Sequence, residues 1–213
     1  GPSGLTEQLA RIEQYGYAAA RRVAVPCGSD EILIRTVLGY VLCPPSDHAL
    51  ICSLMEAGEL EPGTRILIQR LLAPGDTFVD VGANIGMHTL AAGFALKGQG
   101  RIVSFEPFPQ TCDLLRKTIW MNGFSGIADA HQAAASNRNG RHALFLGATS
   151  GHHSLYRLED EGSSDQSSVE VALVRVNDVL KANPKVDVMK IDVEGAELDV
   201  LEGASATIAG NED

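Results

Sequence analysis

The chain has 213 residues, 45% of them hydrophobic, so a domain with a buried core is expected and wholesale disorder is excluded. Its 17 basic and 27 acidic side chains leave a formal net charge of −10, which argues against nucleic acid as a partner, because a polyanion requires clustered Lys and Arg. No apolar run approaches the roughly 20 residues that cross a bilayer, so no membrane span is expected.

Residues 5–60 are predicted to form an α+β N-terminal extension, preceded by residues 1–4, which are typical of the remnant of a cleaved tag. The expected elements of this extension are a helix over 5–22, a hairpin or two short strands over 31–42, and a helix that Asp47 caps and Gly58 ends.

Residues 61–213 alternate short apolar strands with helices, which indicates βαβ units and a mostly parallel sheet. The predicted strands lie over 77–81, 101–105, 129–135, 141–146, 169–174 and 186–191. The predicted helices lie over 62–72, 86–97, 109–122, a short stretch that Asn177 caps, and 194–201. Right-handed crossovers place the carboxyl ends of such strands at one edge of the sheet, where ligands bind. The predicted fold class is therefore α/β.

The strongest motif is Asp80-Val81-Gly82-Ala83-Asn84-Ile85-Gly86, which runs from a predicted strand into a predicted helix. Glycine permits a sharp turn and a close approach of a ligand, and the helix N-terminus offers unpaired N–H groups to a carboxylate. A nicotinamide dinucleotide is disfavoured, because its G-x-G-x-x-G fingerprint requires glycines where Asn84 and Met87 stand. On this interpretation, Gly82→Val is expected to abolish ligand binding while the chain stays folded.

Acidic residues follow two later strands. Glu106, in Phe105-Glu106-Pro107, lies 24 residues after Gly82, where an acid accepts hydrogen bonds from ribose hydroxyls in such folds. Phe108 is expected either to pack beside an adenine ring or to join the core. Asp192 and Glu194, in Lys190-Ile191-Asp192-Val193-Glu194-Gly195-Ala196-Glu197, are expected to point to the same crevice, or else to supply charge to a helix N-terminus.

Taken in order, these motifs resemble the FkbM family of S-adenosylmethionine-dependent methyltransferases. The resemblance covers about residues 56–204 and includes Glu61-Pro62, Asn122-Gly123 and the VLEG sequence that ends at Gly203. The chain departs from the family pattern in two places. Val176-Asn177 stands where the family has Leu-Asp, and the chain stops at Asp213, where the family fold continues with further strands.

The resemblance implies a Rossmann-like class I methyltransferase fold, C-terminally incomplete, that binds S-adenosyl-L-methionine across the first two strands. The residues that it assigns to the cofactor are Glu61, Asp80, Gly82, Asn84, Gly86, His88, Thr89, Glu106, Pro107, Phe108 and Asp192. An acid-rich, Lys-poor crevice suits the cationic centre of this cofactor. The implied reaction is methyl transfer to a hydroxyl of a carbohydrate or natural product, with no metal expected.

Methyl transfer to a hydroxyl requires alignment of oxygen, methyl and sulfur, and a general base assists it. The candidate bases are Asp192, Glu194, His88, His152 and His153, of which Asp192, Glu194 and His153 are favoured as catalytic residues. The two adjacent histidines belong to a predicted exposed loop over 147–167, which would cover the acceptor or simply carry surface histidines.

Two other functions stay open. A nucleic-acid N-methyltransferase would carry an Asn- or Asp-Pro-Pro-Tyr-like segment where Ile191-Asp192-Val193-Glu194 stands, which disfavours it. A non-catalytic cofactor-binding or interaction domain of a larger protein is the second alternative, because strands that would complete the sheet are absent from the sequence. A metal-assisted reaction would need a denser acid cluster than Asp192 and Glu194 provide.

The strand over 186–191 is expected beside the strand over 77–81, with an outer edge that invites association. Residues 5–60, self-association or fusion to further domains are expected to cover that edge. Four cysteines without CxxC spacing are expected to be buried and reduced: Cys27, Cys43, Cys52 and Cys112. Together with the lack of a secretory signal pattern, they predict a cytoplasmic protein.

Overall fold

The computed structural model describes residues 23–147, 153–156 and 167–211, and the helix predicted over 5–22 lies outside them. Its strands are β1 (Ala24–Pro26), β2 (Ile32–Arg35), β3 (Tyr40–Cys43), β4 (Thr77–Val81), β5 (Arg101–Phe105), β6 (Ala128–His131), β7 (Ala134–Ala135), β8 (Gly140–Phe145), β9 (Ser168–Val174) and β10 (Val188–Ile191). Its helices are α1 (His48–Ala57), α2 (Pro62–Leu71), α3 (Met87–Leu96), α4 (Pro109–Met121), α5 (Val176–Val179), α6 (Glu197–Gly203) and α7 (Ser205–Ala209).

Four parallel strands in the order β10-β4-β5-β6 form a central, Rossmann-like sheet, which confirms the predicted α/β fold. β-Branched and aromatic residues make up most of β4, and all five of its residues are buried, as expected for a strand covered on both faces. β10 pairs with β4 as predicted, with Lys190 opposite Asp80. The carboxyl ends of all four strands therefore meet at one edge.

Side chains of β4 alternate between the two faces of this sheet. Phe78 joins the core that includes Leu90 of α3, whereas Val79 and Val81 join a second core on the opposite face. Asp80 shares the face of Phe78 because it lies two residues further along the strand. The alternation thus directs the Asp80 carboxylate toward α3. There it lies behind the loop of residues 82–86, which is called the glycine loop below.

The described part of the N-terminal extension packs on α4. β1, β2 and β3 form an antiparallel sheet. Asn122, directly after α4, accepts a hydrogen bond from the Tyr40 N–H at 3.0 Å and donates to the Tyr40 carbonyl at 2.6 Å. The expectation that the extension covers the outer edge of β10 is therefore wrong for residues 23–60. Among the described strands, β10 pairs with β4 alone.

The strand predicted over 129–135 is divided between two sheets. The Ala133 N–H donates to the His131 carbonyl at 2.9 Å, and this tight turn ends β6. After the turn, β7 pairs in parallel with β9, which itself pairs antiparallel with β8 to give a second small sheet. The local sequence predicted one strand because residue composition does not reveal a turn of this kind.

Two predictions in the last third of the chain are also corrected. Asn177 does not cap α5 but lies inside it, where its Oδ1 accepts from the N–H and the hydroxyl of Thr207, both at 2.9 Å, and so joins α5 to α7. α6 begins at Glu197, three residues later than predicted. The Ala196 N–H first donates to the Val193 carbonyl at 2.8 Å, which closes a turn before the helix.

All four cysteines are free, and only two of them are buried as expected, Cys43 and Cys112. Burial raises the pKa of Cys43 to about 12 and that of Cys112 to about 11, so both remain thiols at neutral pH. Cys27 and Cys52 are exposed, contrary to expectation, because one follows the edge strand β1 and the other faces away from the buried side of α1. None of the helices in the described ranges is long and apolar enough to cross a membrane.

Candidate active site

A cavity of about 420 Å³ lies at the carboxyl end of the central sheet. The sequence-predicted site residues that it brings together are Glu61, Gly82, Asn84, Glu106, Pro107, His153, Asp192 and Glu194. They come from the loops after β4, β5 and β10, from the residue before α2 and from the segment 153–156. The topology therefore assembles motifs that are far apart in the sequence.

Gly82 turns the chain sharply out of β4. The N–H groups of Gly82 and Ala83 both donate to the Phe105 carbonyl at 3.0 Å. The φ of Gly82 is +77°, and a Cβ added to it would lie 1.9 Å from the Asp192 carbonyl oxygen. The close approach of the loop after β10 thus requires this glycine, whether or not a ligand is bound. The expectation that Gly82→Val leaves the fold intact is corrected on this ground.

Asn84 offers a hydrogen-bond acceptor to the cavity. Its φ of +48° lies in the left-handed region, which asparagine tolerates better than most residues. Its N–H donates to Glu106 Oε2 at 2.9 Å, while its Oδ1 is buried and has no hydrogen-bond partner among the described residues. Because an unpaired buried acceptor costs about 1–3 kcal/mol, this oxygen suits a donor from a bound ligand.

Glu106 follows β5 directly, and only 6% of it is exposed. One carboxylate oxygen accepts from the Asn84 N–H and the other from the Phe108 N–H at 3.0 Å. Burial raises the pKa of Glu106 to about 7, against the opposing effect of these two hydrogen bonds. Each oxygen retains acceptor capacity, so the carboxylate can accept two further hydrogen bonds, such as those from neighbouring hydroxyls.

Asp80, Gly86 and Thr89 lie behind the glycine loop and are not among the residues that line the cavity. The Thr89 hydroxyl donates to Asp80 Oδ2 at 2.8 Å and lies 2.9 Å from the Ser104 hydroxyl. A Cβ on Gly86 would lie 2.7 Å from Leu115 of α4. These three residues therefore brace the loop against α3 and α4, and the cofactor contact predicted for them stays a prediction.

Lys190 is a site residue that the sequence interpretation missed. Its Nζ donates to the Gly82 carbonyl at 3.0 Å and lies 3.5 Å from Asp80 Oδ1 and 3.4 Å from Asp192 Oδ2. One mostly buried cation thus joins β4, the glycine loop and the acid that follows β10. Its position opposite Asp80 in the predicted strand pair was the signal that could have identified it.

His88 and Glu61 approach each other beside α2. His88 Nε2 lies 3.7 Å from Glu61 Oε2 and has no hydrogen-bond partner among the described residues. Burial lowers the pKa of His88, so the imidazole is neutral at pH 7 and the contact is not a true ion pair. Glu61 lines the cavity, whereas His88 lies behind it.

The two predicted acids after β10 differ in exposure. The Asp192 side chain is 58% exposed and faces the cavity, with Lys190 beside it. Glu194 is half-buried, and its backbone carbonyl accepts a hydrogen bond from the Ser154 hydroxyl at 2.7 Å. Asp192 is therefore the more accessible carboxylate for proton transfer.

His153 lines the cavity with one ring nitrogen already engaged. Its Nδ1 accepts a hydrogen bond from the Gly147 N–H at 3.1 Å. A neutral imidazole in this arrangement carries its proton on Nε2 and donates from it. Phe108, expected either to pack beside an adenine or to join the core, packs against a hydrophobic cluster and contacts the His153 ring edge-on with centroids 4.8 Å apart. His153 as the general base stays a prediction, and His152 lies outside the described residues.

Two further walls of the cavity were not predicted. α1, its N-cap residue and the turn after it contribute Asp47, Ala49, Leu50, Ser53 and Leu60. A largely alkyl wall consists of Ala133, Ala134, Ala135, Leu144, Leu155, Val193 and Ala196. Asp47 also caps α1, as predicted, by accepting from the Leu50 N–H at 3.1 Å. No Lys or Arg occurs among the described residues of the cavity wall.

Comparison with known proteins points to one family. The model of the methyltransferase FkbM domain matches residues 80–211. Methyltransferase 1 of Beauveria bassiana is 34% identical to this chain over 61% of the chain and 59% of its own length. The 31-O-demethyl-FK506 methyltransferase FkbM of Streptomyces tacrolimicus is 31% identical over 62% of the chain and 60% of its own length. The chain thus spans about 60% of the length of these relatives.

A solved structure bears the same family name. The crystal structure of Methyltransferase FkbM from Methylobacillus flagellatus KT is 19% identical, with a TM-score of 0.47, and the match covers 65% of this chain and 31% of that one. The family match itself runs from Asp80 in β4 to Asn211 after α7, so it contains the glycine loop, Glu106 and the acids after β10. The chain belongs to the FkbM methyltransferase domain family.

Proposed function

We propose that the chain is an S-adenosylmethionine-dependent methyltransferase that methylates a hydroxyl of a small molecule or glycan. The observation that carries this proposal is the buried Glu106 carboxylate, which is hydrogen-bonded to the glycine loop and faces the same cavity as Asp192. A site for paired hydroxyls and an accessible carboxylate thus share one cavity. Membership of the FkbM family supports the same reaction class.

The cavity walls fit S-adenosyl-L-methionine. Glu106 would accept from the ribose hydroxyls, beside Pro107, and Asn84 Oδ1 with Glu61 would accept from the ammonium group. Asp192, with Lys190 at 3.4 Å on its other side, would lie near the positive sulfur, in a cavity whose described walls carry further carboxylates. When bound, this cofactor supplies an electrophilic methyl group on a cationic sulfur.

Asp192 would act as the general base. Its carboxylate is exposed to the cavity, and Lys190 at 3.4 Å fixes its position. It would accept the proton of the acceptor hydroxyl as the oxygen attacks. Alignment of these groups is the main task of the site, because the reaction is a single displacement.

The alkyl wall supports an acceptor with an apolar face. Ala134, Leu144, Leu155, Val193 and Ala196 belong to one hydrophobic cluster and also line the cavity. Alkyl side chains do not hydrogen-bond the several hydroxyls of a sugar, whereas they pack well on a lipophilic molecule. The Streptomyces relative is named for the acceptor 31-O-demethyl-FK506. A hydroxyl of an apolar natural product is therefore favoured over a carbohydrate hydroxyl.

Two measurements test the proposal. Calorimetry with S-adenosylhomocysteine measures cofactor binding. Transfer of tritiated methyl from S-adenosylmethionine measures the reaction, with 31-O-demethyl-FK506 as a lipophilic acceptor and a methyl glucoside as a carbohydrate acceptor. Binding with transfer to the lipophilic acceptor is the expected result. No binding would contradict the proposal, and binding without transfer to either class would favour the non-catalytic alternative.

Asp192→Asn is expected to lower kcat by roughly 10²–10⁴-fold, the contribution of a positioned general base. S-Adenosylhomocysteine has no charge on sulfur, so its affinity should stay close to that of the wild type. Asp129→Asn removes an exposed carboxylate on β6 and serves as the matched control, with kcat unchanged. An Asp192→Asn enzyme with wild-type kcat would exclude the base role.

Cofactor binding is expected to depend on pH through Glu106. Its pKa of about 7 in the free protein means that the carboxyl is partly protonated at neutral pH, whereas hydroxyls donating to it favour the ionised form. Affinity for S-adenosylhomocysteine should therefore rise with pH, by at most tenfold per unit, and level off above about 7. Calorimetry in buffers of different ionisation enthalpy measures the released proton, and Glu106→Gln should give a flat profile. A flat wild-type profile would contradict this account.

A further inference from the structure

Asp80 is a fully buried carboxylate that the proposed reaction does not use. It stands opposite Lys190 in the pairing of β4 with β10, and none of its surface is exposed. Its Oδ2 accepts from the Thr89 hydroxyl, whereas its Oδ1 has no hydrogen-bond partner among the described residues. Because the protein interior disfavours an unbalanced charge, this carboxylate needs a positive group close by.

Lys190 supplies that positive charge. Its Nζ lies 3.5 Å from Asp80 Oδ1, and its side chain is only 12% exposed. His88 is a second basic residue near Asp80, but burial lowers the pKa of its imidazole, so it is neutral at pH 7. Water and salt screen a buried pair only weakly, so Asp80 anchors the Lys190 ammonium at a fixed place.

The other side of the same ammonium meets the loop after β10. Nζ donates to the Gly82 carbonyl at 3.0 Å and lies 3.4 Å from Asp192 Oδ2. The Asp192 side chain is 58% exposed, in contrast to Asp80. An exposed carboxylate alone turns among several rotamers, whereas one beside a fixed ammonium has a preferred direction. Lys190 therefore joins an anchored carboxylate to one that needs orientation.

We propose that Asp80 and Lys190 are positioning residues for Asp192: Asp80 anchors the Lys190 ammonium, and the ammonium holds the Asp192 carboxylate in the direction from which it accepts the proton of the acceptor hydroxyl. This inference rests on the proposed function, which gives Asp192 the role of base. Neither Asp80 nor Lys190 lines the cavity, so both act on the reaction through Asp192. Loss of Asp80 should release Lys190, whereas loss of Asp192 should leave it anchored.

The first readout is the ¹H–¹⁵N NMR signal of the Lys190 ammonium in the unliganded protein, identified by its loss in Lys190→Met. Asp192→Asn should shift this signal without broadening it, because Asp80 and the Gly82 carbonyl still hold the ammonium. Asp80→Asn should speed the exchange of its protons with water by roughly ten- to hundredfold, as for loss of a charged partner. A signal unaffected by Asp80→Asn, or unmoved by Asp192→Asn, would overturn the inference.

A second variant covers the case in which Asp80→Asn does not fold. Asp80→Asn combined with Lys190→Met removes both charges of the buried pair, which proteins tolerate better than the loss of one partner. Lys185→Met is the matched control. Its ammonium also lies beside a carboxylate near β10, that of Asp187 at 3.1 Å, but it is exposed and outside the cavity wall.

The second readout is kcat, with whichever of the two acceptors above gives product. The double variant should lower kcat by roughly tenfold or more, because Asp192 is present but no longer oriented, whereas Lys185→Met should leave kcat unchanged. Adding Asp192→Asn to the double variant should then lower kcat by a correspondingly smaller factor than in the wild type. An undiminished effect of Asp192→Asn would show that the pair does not act through Asp192 and would overturn the inference.

Affinity for S-adenosylhomocysteine separates positioning of Asp192 from support of the glycine loop. The N–H groups of Gly82 and Ala83 still donate to the Phe105 carbonyl in the double variant, so the loop stays attached to β5. The double variant should therefore bind S-adenosylhomocysteine as tightly as Lys185→Met does. An affinity loss as large as the loss in kcat would overturn the assignment to Asp192.

The ammonium signal needs neither cofactor nor acceptor, so it decides the inference even if no acceptor is methylated. The proposed function fails by a different result, namely the absence of S-adenosylhomocysteine binding to the wild type. The two failures are therefore distinguishable in the same set of proteins.

Discussion

Gly82→Ala is expected to lower the free energy of unfolding by roughly 2–5 kcal/mol, from a left-handed backbone combined with overpacking, and to abolish measurable binding of S-adenosylhomocysteine. The added Cβ would lie 1.9 Å from the Asp192 carbonyl oxygen. That carbonyl cannot move away easily, because the Asp192 N–H donates to the Val81 carbonyl at 3.1 Å and Lys190 donates to the Gly82 carbonyl. The glycine loop and the loop after β10 would have to separate.

Gly126→Ala provides the control for Gly82→Ala. Its Cβ would meet nothing within 4 Å, and its backbone is not in the left-handed region, so the change should stay within about 0.5 kcal/mol. Denaturant unfolding followed by circular dichroism gives the stabilities, and calorimetry gives the affinities. Wild-type stability in Gly82→Ala would show that the two loops are not held together as the structure indicates.

The core of the fold could be predicted from local sequence signals. The structure has the same bounds as predicted for β4 and β5, because each is a short run of buried β-formers between turn residues. The position of Glu106 near the glycine loop followed from the parallel topology alone, since both end neighbouring strands. These features depend on the chain within about 30 residues, where periodicity and turn chemistry are informative.

The roles of Asp80 and Thr89 needed information that the motif does not contain. The alternation along β4 predicts that Asp80 and Phe78 share a face of the sheet, but it does not predict which face α3 covers. The contribution of α1 to the cavity is likewise a product of packing between distant segments, and Asp47 gave only a capping signal. Lys190 lies between these cases, because strand register would have placed it opposite Asp80 once β10 was paired with β4.

The tautomer of His153 shows a different limit of sequence interpretation. A histidine in a glycine-rich loop is a reasonable candidate base, and its sequence neighbours give no reason to reject it. The structure adds a contact that the sequence does not reveal, the Gly147 N–H at 3.1 Å from Nδ1. His153 lines the cavity, and its tautomer depends on contacts of this kind.

Glu106→Gln is expected to change the pH dependence of stability and to weaken cofactor binding. In the wild type the folded-state pKa of Glu106 is raised from 4.5 to about 7, so the fold favours the protonated form. Its stabilising contribution is therefore complete below pH 4.5 and is lost as pH rises through 7, a loss on the order of 3 kcal/mol. Glutamine does not ionise, so the stability of the variant relative to wild type should increase by this amount between pH 4.5 and pH 8.

The absolute stability of Glu106→Gln includes an opposing cost. The N–H groups of Asn84 and Phe108 each donate to a separate oxygen of Glu106, whereas glutamine has only one acceptor oxygen. One N–H group therefore loses its partner in the variant, which costs about 1–3 kcal/mol of stability. The quantity to measure is therefore how the difference in unfolding free energy between variant and wild type changes from pH 4.5 to pH 8. Chemical denaturation at both pH values gives it. Glu56→Gln, at an exposed position on α1, should show no such change.

Cofactor affinity should fall in Glu106→Gln and fall further in Glu106→Ala. If the carboxylate accepts from both ribose hydroxyls, the alanine variant should lose roughly 1.5–3 kcal/mol of binding to S-adenosylhomocysteine, the range for hydrogen bonds to a charged group. Calorimetry at pH 8, where the wild-type carboxyl is ionised, gives the full difference. Unchanged affinity in the alanine variant would exclude the ribose assignment. The ionised Glu106 carboxylate lowers the stability of the free protein, and this cost is recovered only when a ligand donates hydrogen bonds to it. Such a balance is expected of a residue in a ligand site, because a residue that served stability alone would not carry that charge.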